Sequence, residues 1–273
     1  MIDMTPRERF LLCANGVDGD VADGALWLSC DDFPNLEIER YQEVLNQCGS
    51  ALREETLGDT DSDGEPERVI AAIHSVLQRF LPLRGSGGAD PKSHYIHSVI
   101  DRHQGVPLAC SVIWIAVARR AGIVLDGISV PGHFLVKLDE VVFDPFLGGE
   151  VVDQASVLDR LVDKYGVHRD LVASHIFQPA SVRDMLARMT RNLRGCYAVR
   201  QQWKLALRSA DRCVALLPEE PRERRDRGIV RWQAGQLQEA VEDLEYYCEH
   251  AHGAQDIPKV SSIAQHLRQQ LGQ

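Results

Sequence analysis

Helical and strand-like periodicities alternate along the chain, and the points where one gives way to the other mark its organisation. Residues 1–57 place apolar side chains such as Leu36, Ile38, Tyr41, Val44 and Leu45 at helical spacings, between acidic, glycine-bearing breaks. The run Gly58-Asp59-Thr60-Asp61-Ser62-Asp63-Gly64-Glu65-Pro66 is polar and turn-rich. Its acids suggest a calcium loop, but such a loop needs a glutamate at its twelfth position and flanking helices in register, and a solvated linker is the better reading. A helix is predicted from about Glu67 to Phe80, then a flexible stretch from Arg84 to Asp90, then a polar helix from about Pro91 to His103.

The pattern changes in the middle of the chain. After Gly105-Val106-Pro107, the residues Leu108 to Ala118 are apolar nearly all round, and Arg119-Arg120-Ala121-Gly122 supplies cations and a glycine stop. A central, buried helix follows. Beyond it, Ile123 to Val130, Phe134 to Leu138 and Val141 to Phe143 are short runs of β type, punctuated by Gly127, Pro131-Gly132 and Pro145. One helix on a small antiparallel sheet gives an α+β core.

Past residue 180 the chain is helical again, with an internal period. Ala206 and Ala240 lie 34 residues apart, as do Cys213 and Tyr247, while Pro218 closes one unit and Gly235, Leu237 and Leu244 sit at tetratricopeptide spacings. Two units are expected, about Thr190 to Glu219 and Glu223 to His252. Because such repeats rarely stand alone in pairs, the tail is expected to dock on the core. The organisation is thus a helical segment with its acidic loop (1–66), the α+β core (67–180) and a helical tail (181–273).

Composition narrows the classes of function. The 273 residues carry 30 Lys and Arg against 40 Asp and Glu, a net charge of −10, which argues against a surface built to neutralise nucleic-acid phosphates. Seven cysteines, at 13, 30, 48, 110, 196, 213 and 248, include no CxxC pair, so they read as reduced thiols and not as a disulfide frame or zinc knuckle. The opening residues lack the cationic and apolar order of a secretory signal, and the longest apolar stretch, Val106 to Ala118, is too short to span a bilayer. A soluble, cytoplasmic protein with no membrane or nucleic-acid partner is expected.

Candidate chemistry lies between Pro131 and Phe146. With Asp139-Glu140 as a two-residue turn, Leu138 opposes Val141, Val136 opposes Phe143 and Leu135 opposes Asp144. Phe134, Val136, Leu138, Val141 and Phe143 then share one face, and His133, Leu135, Lys137, Val142 and Asp144 the other. His133 and Asp144 become diagonal neighbours within reach of each other, the base and orienter of a catalytic triad. Cys110, about one turn inside the central helix, is a candidate nucleophile whose thiolate the helix N-terminus favours. Set against this, free cysteine is among the most buried residue types, and a His–Asp pair also serves as a satisfied polar cluster.

Two other groups carry candidate chemistry. His94 and His97, with His103 nearby, have i, i+3 spacing for a metal, but no cysteine or carboxylate stands at a familiar ligand spacing. Arg222, Arg224, Arg225, Arg227 and Arg231 form a basic patch that either grips an acidic partner or pairs with nearby acids, Asp226 among them. No cofactor or metal site is expected from the remaining pattern.

The run Gly105-Val106-Pro107-Leu108-Ala109-Cys110, then Pro131-Gly132-His133-Phe134, Asp144-Pro145-Phe146-Leu147-Gly148-Gly149 and, in the tail, Arg225-Asp226-Arg227-Gly228 resembles the bacterial Sir-B-type transglutaminase-like family. The resemblance runs from about Val69 to Leu267. It implies a papain- or transglutaminase-like core with a tetratricopeptide-like tail, and a Cys-His-Asp triad in active members, whose second and third places match His133 and Asp144. The first place falls at Pro107, three residues before Cys110; Ser111 is a weaker substitute, pointing about 100° away around the helix. Two readings follow. In one, Cys110, His133 and Asp144 carry out acyl transfer or amide hydrolysis on a peptide or protein. In the other, the protein is a non-catalytic adaptor that binds one.

Overall fold

The computed structural model describes residues 4–57, 66–166 and 168–272, so residues 58–65 of the acidic loop, and with them the calcium-loop reading, lie outside the described residues. The chain forms two compact units, Met1–Leu186 and Ala187–Gln273.

In the first unit, α1 (Pro6–Ala14) and α2 (Val21–Cys30) each begin on a capping box, Thr5 with Glu8 and Asp20 with Asp23, which satisfies backbone N–H groups that the first turn leaves without partners. α3 (Ile38–Leu57) and α4 (Pro66–Phe80) pack together, and α2, α3, α4 and α5 (Ile96–Arg102) all contact α6 (Pro107–Ala121). Every residue from Leu108 to Ala118 of α6 is buried. A helix apolar on all sides needs neighbours on all sides, and α6 has them. Proline opens it at the first helical position, where no N–H is needed, and Gly122 closes it at φ +89°.

Two expectations fail just ahead of α6. The stretch Arg84 to Asp90 is not a flexible link at its start: Arg84–Gly85 forms β1, paired in parallel with β2 (Gln104–Gly105), with the Arg84 N–H donating to the His103 carbonyl at 2.8 Å and Ser86 N–H to that of Gly105 at 2.9 Å. Glycine is needed at 85 because the Phe146 ring occupies the space a Cβ would take. The expected polar helix from Pro91 to His103 is a 3₁₀ turn, Pro91–Ser93, followed by the seven-residue α5, and Ser93 to Ile100 are all buried. Its polar residues face inward because aromatic partners surround them, as described below.

The antiparallel sheet is a meander in the order β3 (Asp126–Val130), β4 (His133–Leu138), β5 (Val141–Asp144), β6 (Glu150–Val151). Its central register pairs Val136 with Phe143 and Leu138 with Val141, as the alternation predicts. Pro131-Gly132, with Gly132 at φ +79°, and Asp139-Glu140, with Asp139 at φ +51°, make the two hairpin turns. One face, with Phe134 and Phe143, lies against α6, where the Trp114 and Phe143 rings meet at a tilt with centres 5.6 Å apart. The other face is also covered: Ile128, Val130, Leu135 and Val142 form a cluster with Val157 and Leu161 of α7 (Gln154–Tyr165). α8 (Arg169–Ile176) follows.

The remaining helices are α9 (Val182–Val199), α10 (Trp203–Leu216), α11 (Pro221–Gln233), α12 (Leu237–His250) and α13 (Ile257–Gln270). In the second unit each of α10 to α13 packs on the next. The residues that repeat at 34, Ala206 with Ala240 and Cys213 with Tyr247, are fully buried. Four arginines of α11, Arg224, Arg225, Arg227 and Arg231, pair with acids of the same unit. Arg227 grips Asp243 with two bonds of 2.7 Å, Arg231 adds a third at 2.8 Å, and Arg225 pairs with Asp226 and Asp256. No helix among the described residues is long and apolar enough to cross a membrane.

Candidate functional site

The site is set by where two strands begin and end. The Pro131-Gly132 turn makes His133 the first residue of β4, and Pro145, which has no N–H for the ladder, makes Asp144 the last of β5. His133 Nε2 and Asp144 Oδ2 stand 2.6 Å apart, the imidazole donating to the carboxylate. Asp144 divides its oxygens: Oδ1 accepts the Phe146 N–H at 2.9 Å and so caps the 3₁₀ turn Pro145–Leu147. The carboxylate is 4% exposed and the imidazole 33%, with the Phe146 ring edge-on to it at 5.9 Å. A buried carboxylate therefore holds a partly exposed imidazole through Nε2.

Cys110 has a different setting. It is the fourth residue of α6, and its N–H already donates to the Val106 carbonyl at 3.1 Å. Its Sγ packs against Gly105 and the residue is 1% exposed. Burial, reinforced by the negative charge of Asp144, pushes the thiol up to about 12. Desolvation here outweighs the helix N-terminus, which acts most strongly on groups exposed at the first turn. Ser111 is fully buried and donates to the Phe134 carbonyl at 3.4 Å, tying α6 to β4. Pro107 opens α6, and its ring offers no nucleophilic atom.

Beside His133 and Asp144 opens a cleft of about 760 Å³. Its walls come from the Pro131-Gly132 turn, from Phe146 and Leu147 of the 3₁₀ turn, from β6, and from one line of α7 comprising Ser156, Arg160 and Lys164. Cys110 is not among the lining residues. The α7 wall was missed by sequence reasoning, although the signal was there: Val157 and Leu161 face the sheet, which leaves Ser156, Arg160 and Lys164 at i, i+4 spacing along an adjacent line.

His94 and His97 serve other contacts. His94 Nε2 lies 2.9 Å from the Gly88 carbonyl, whereas His97, on α5, sits among the rings of Phe33, Tyr41 and Tyr95 at 4.6 to 5.8 Å. Burial lowers His97 to about 4. Among the described residues no group of three or more His, Cys, Asp or Glu gathers to hold a metal ion.

Comparison with known proteins agrees with this architecture. The family described as the transglutaminase-like superfamily matches residues 39–191, and the tetratricopeptide repeat matches residues 193–265. The UPF0162 protein of Xylella fastidiosa is 36% identical over 231 residues, 82% of this chain and 81% of the relative. That of Vibrio cholerae is 29% identical over 247 residues, 88% and 89% of the two chains. Mouse F-box only protein 21 is 26% identical over 172 residues, 56% of this chain and 26% of its own. No solved structure matches the chain. With the superfamily match spanning more than half of its length and joined to a tetratricopeptide tail, the chain belongs to the transglutaminase-like superfamily.

Proposed function

We propose that the transglutaminase-like core is a peptide-binding module that holds a segment of a peptide or protein in the cleft beside His133 and Asp144, and that it does not carry out acyl transfer. The burial of Cys110 supports this most directly. Burial holds the thiol well above the usual cysteine range, so the thiolate is scarce at neutral pH, and the side chain does not line the cleft beside the imidazole. The tetratricopeptide region adds a surface of a type that holds other proteins. The acyl-transfer reading draws on the His133–Asp144 bond, and it requires a nucleophile to reach that imidazole.

Thiol mapping of the native full chain with iodoacetamide tests the proposal. The partly exposed Cys248 is expected to label first and Cys110 to remain unmodified until the protein unfolds. Labelling of Cys110 ahead of Cys248, or recovery of a thioester on Cys110 after incubation with peptides, overturns the proposal.

A further inference from the structure

The cleft is graded in charge and in polarity. Arg160 and Lys164, exposed on α7, line it without forming an ion pair among the described residues; Arg160 Nε donates to the Ser156 carbonyl at 3.3 Å and the Lys164 ammonium lies over the Tyr165 ring. In a chain of net charge −10, two cations left without carboxylates on one wall are a local exception. The acids of the cleft stand elsewhere. Asp153 spends its oxygens capping the first turn of α7, accepting from Ala155 and Ser156, and Glu150 lies on β6, whereas the Lys164 ammonium approaches Gly132 at the opposite end of the helix. His133 begins one residue beyond that glycine, so the Lys164 ammonium and the imidazole border the same end, with Arg160 one turn back along the helix.

The same cleft has apolar lining. Leu147 is 58% exposed and Val151 53%, large aliphatic side chains held in water on the rim of the same cleft, with Phe146 between the rim and His133. A volume of about 760 Å³ falls in the range of pockets that enclose small ligands, roughly 300–1,000 Å³. An apolar side chain and a carboxylate carried by a single residue occur together at a peptide C-terminus.

Resting on the peptide-binding reading above, we propose that this cleft recognises the free C-terminal carboxylate of a peptide ending in an apolar residue, with Arg160 and Lys164 meeting the carboxylate and Phe146, Leu147 and Val151 meeting the last side chain. Arginine supplies a planar fork matched to a carboxylate and lysine a mobile point charge four residues along the same helical line.

Fluorescence anisotropy on the full chain decides it, with three rhodamine-labelled hexapeptides: one ending in leucine as the free acid, the same sequence as the C-terminal amide, and an amidated peptide with an internal aspartate. The free acid is expected to bind at least about tenfold tighter than either amide. That preference is expected to vanish in the R160Q/K164Q double variant and to persist in R160K. Both substituted positions are on the exposed side of α7, and an unchanged thermal midpoint confirms that the variants are folded. Equal binding of acid and amide, preference for the internal aspartate, a preference that survives R160Q/K164Q, or no binding of any peptide overturns the terminal-carboxylate assignment. Equal binding leaves peptide binding itself in place, whereas covalent capture of a peptide on Cys110 overturns the binding-module reading whichever terminus is preferred.

Discussion

Cys110 Sγ stands 3.2 Å from the point where a Cβ on Gly105 would lie, and the two methyls of Val99 stand at 2.8 and 3.0 Å from the same point. The thiol and the backbone of β2 thus fill one another's space, in the manner of core packing. Gly105→Ala is expected to destabilise the protein by roughly 1–3 kcal/mol through overpacking. Val99→Ala should recover part of that loss in the double variant, measured as a non-additive shift in the urea midpoint.

Asp144 holds both the imidazole and the turn that follows it. Asp144→Ala removes both acceptors and is expected to cost about 1–3 kcal/mol, and Asp144→Asn less, because its amide oxygen still accepts from Phe146. A double-mutant cycle with His133→Ala should return a coupling of roughly 0.5–3 kcal/mol. Additivity would show that the 2.6 Å bond contributes nothing to stability.

In the second unit Asp243, 2% exposed, answers the charges of Arg227 and Arg231, with Arg224 at 3.7 Å. Asp243→Ala leaves buried guanidinium groups facing one another and is expected to cost about 3–5 kcal/mol in urea denaturation. Arg227→Lys should also destabilise, since an ammonium cannot reproduce the two parallel bonds to the carboxylate.

The buried His97 makes stability depend on pH. Burial lowers its pKa to about 4, against Asp101, which acts in the opposite direction. Its unfolded value is near 6.5, so between the two pH values the unfolded chain binds the proton that the folded chain refuses. The contribution is fully present above about pH 6.5 and is lost as pH falls toward 4, by a total on the order of 3 kcal/mol. His97→Phe should flatten this part of the stability profile in urea titrations from pH 7 to 4. An unchanged slope would assign the dependence to other groups.

Much of the core can be read from the chain because its signals are local. The α6 run carries its own proline start and glycine stop, and two-residue turns fix the β4–β5 register, so a period of two assigns every face. The juxtaposition of His133 and Asp144 follows from that register alone. What escapes the sequence depends on distant partners. The β1–β2 ladder is made of backbone groups and reserves its space for Phe146, 61 positions beyond Gly85. His94 and His97 look like surface residues until Phe33, Tyr41 and Tyr95 close around His97. The height of the Cys110 pKa reflects enclosure by several elements, which no helix-end argument contains.

His133 and Asp144 are separated by 11 positions, joined through one hairpin with a two-residue turn. Closing so short a loop costs little chain entropy, and a contact of such small sequence separation forms without waiting for α6. The pair is therefore self-contained: Asp144 earns its place by capping the turn and pinning the ring, whatever residue stands at position 107 or 110. Loss of a nucleophile elsewhere would leave the folding role of this hairpin untouched, so an intact His–Asp pair is by itself no certificate of catalysis.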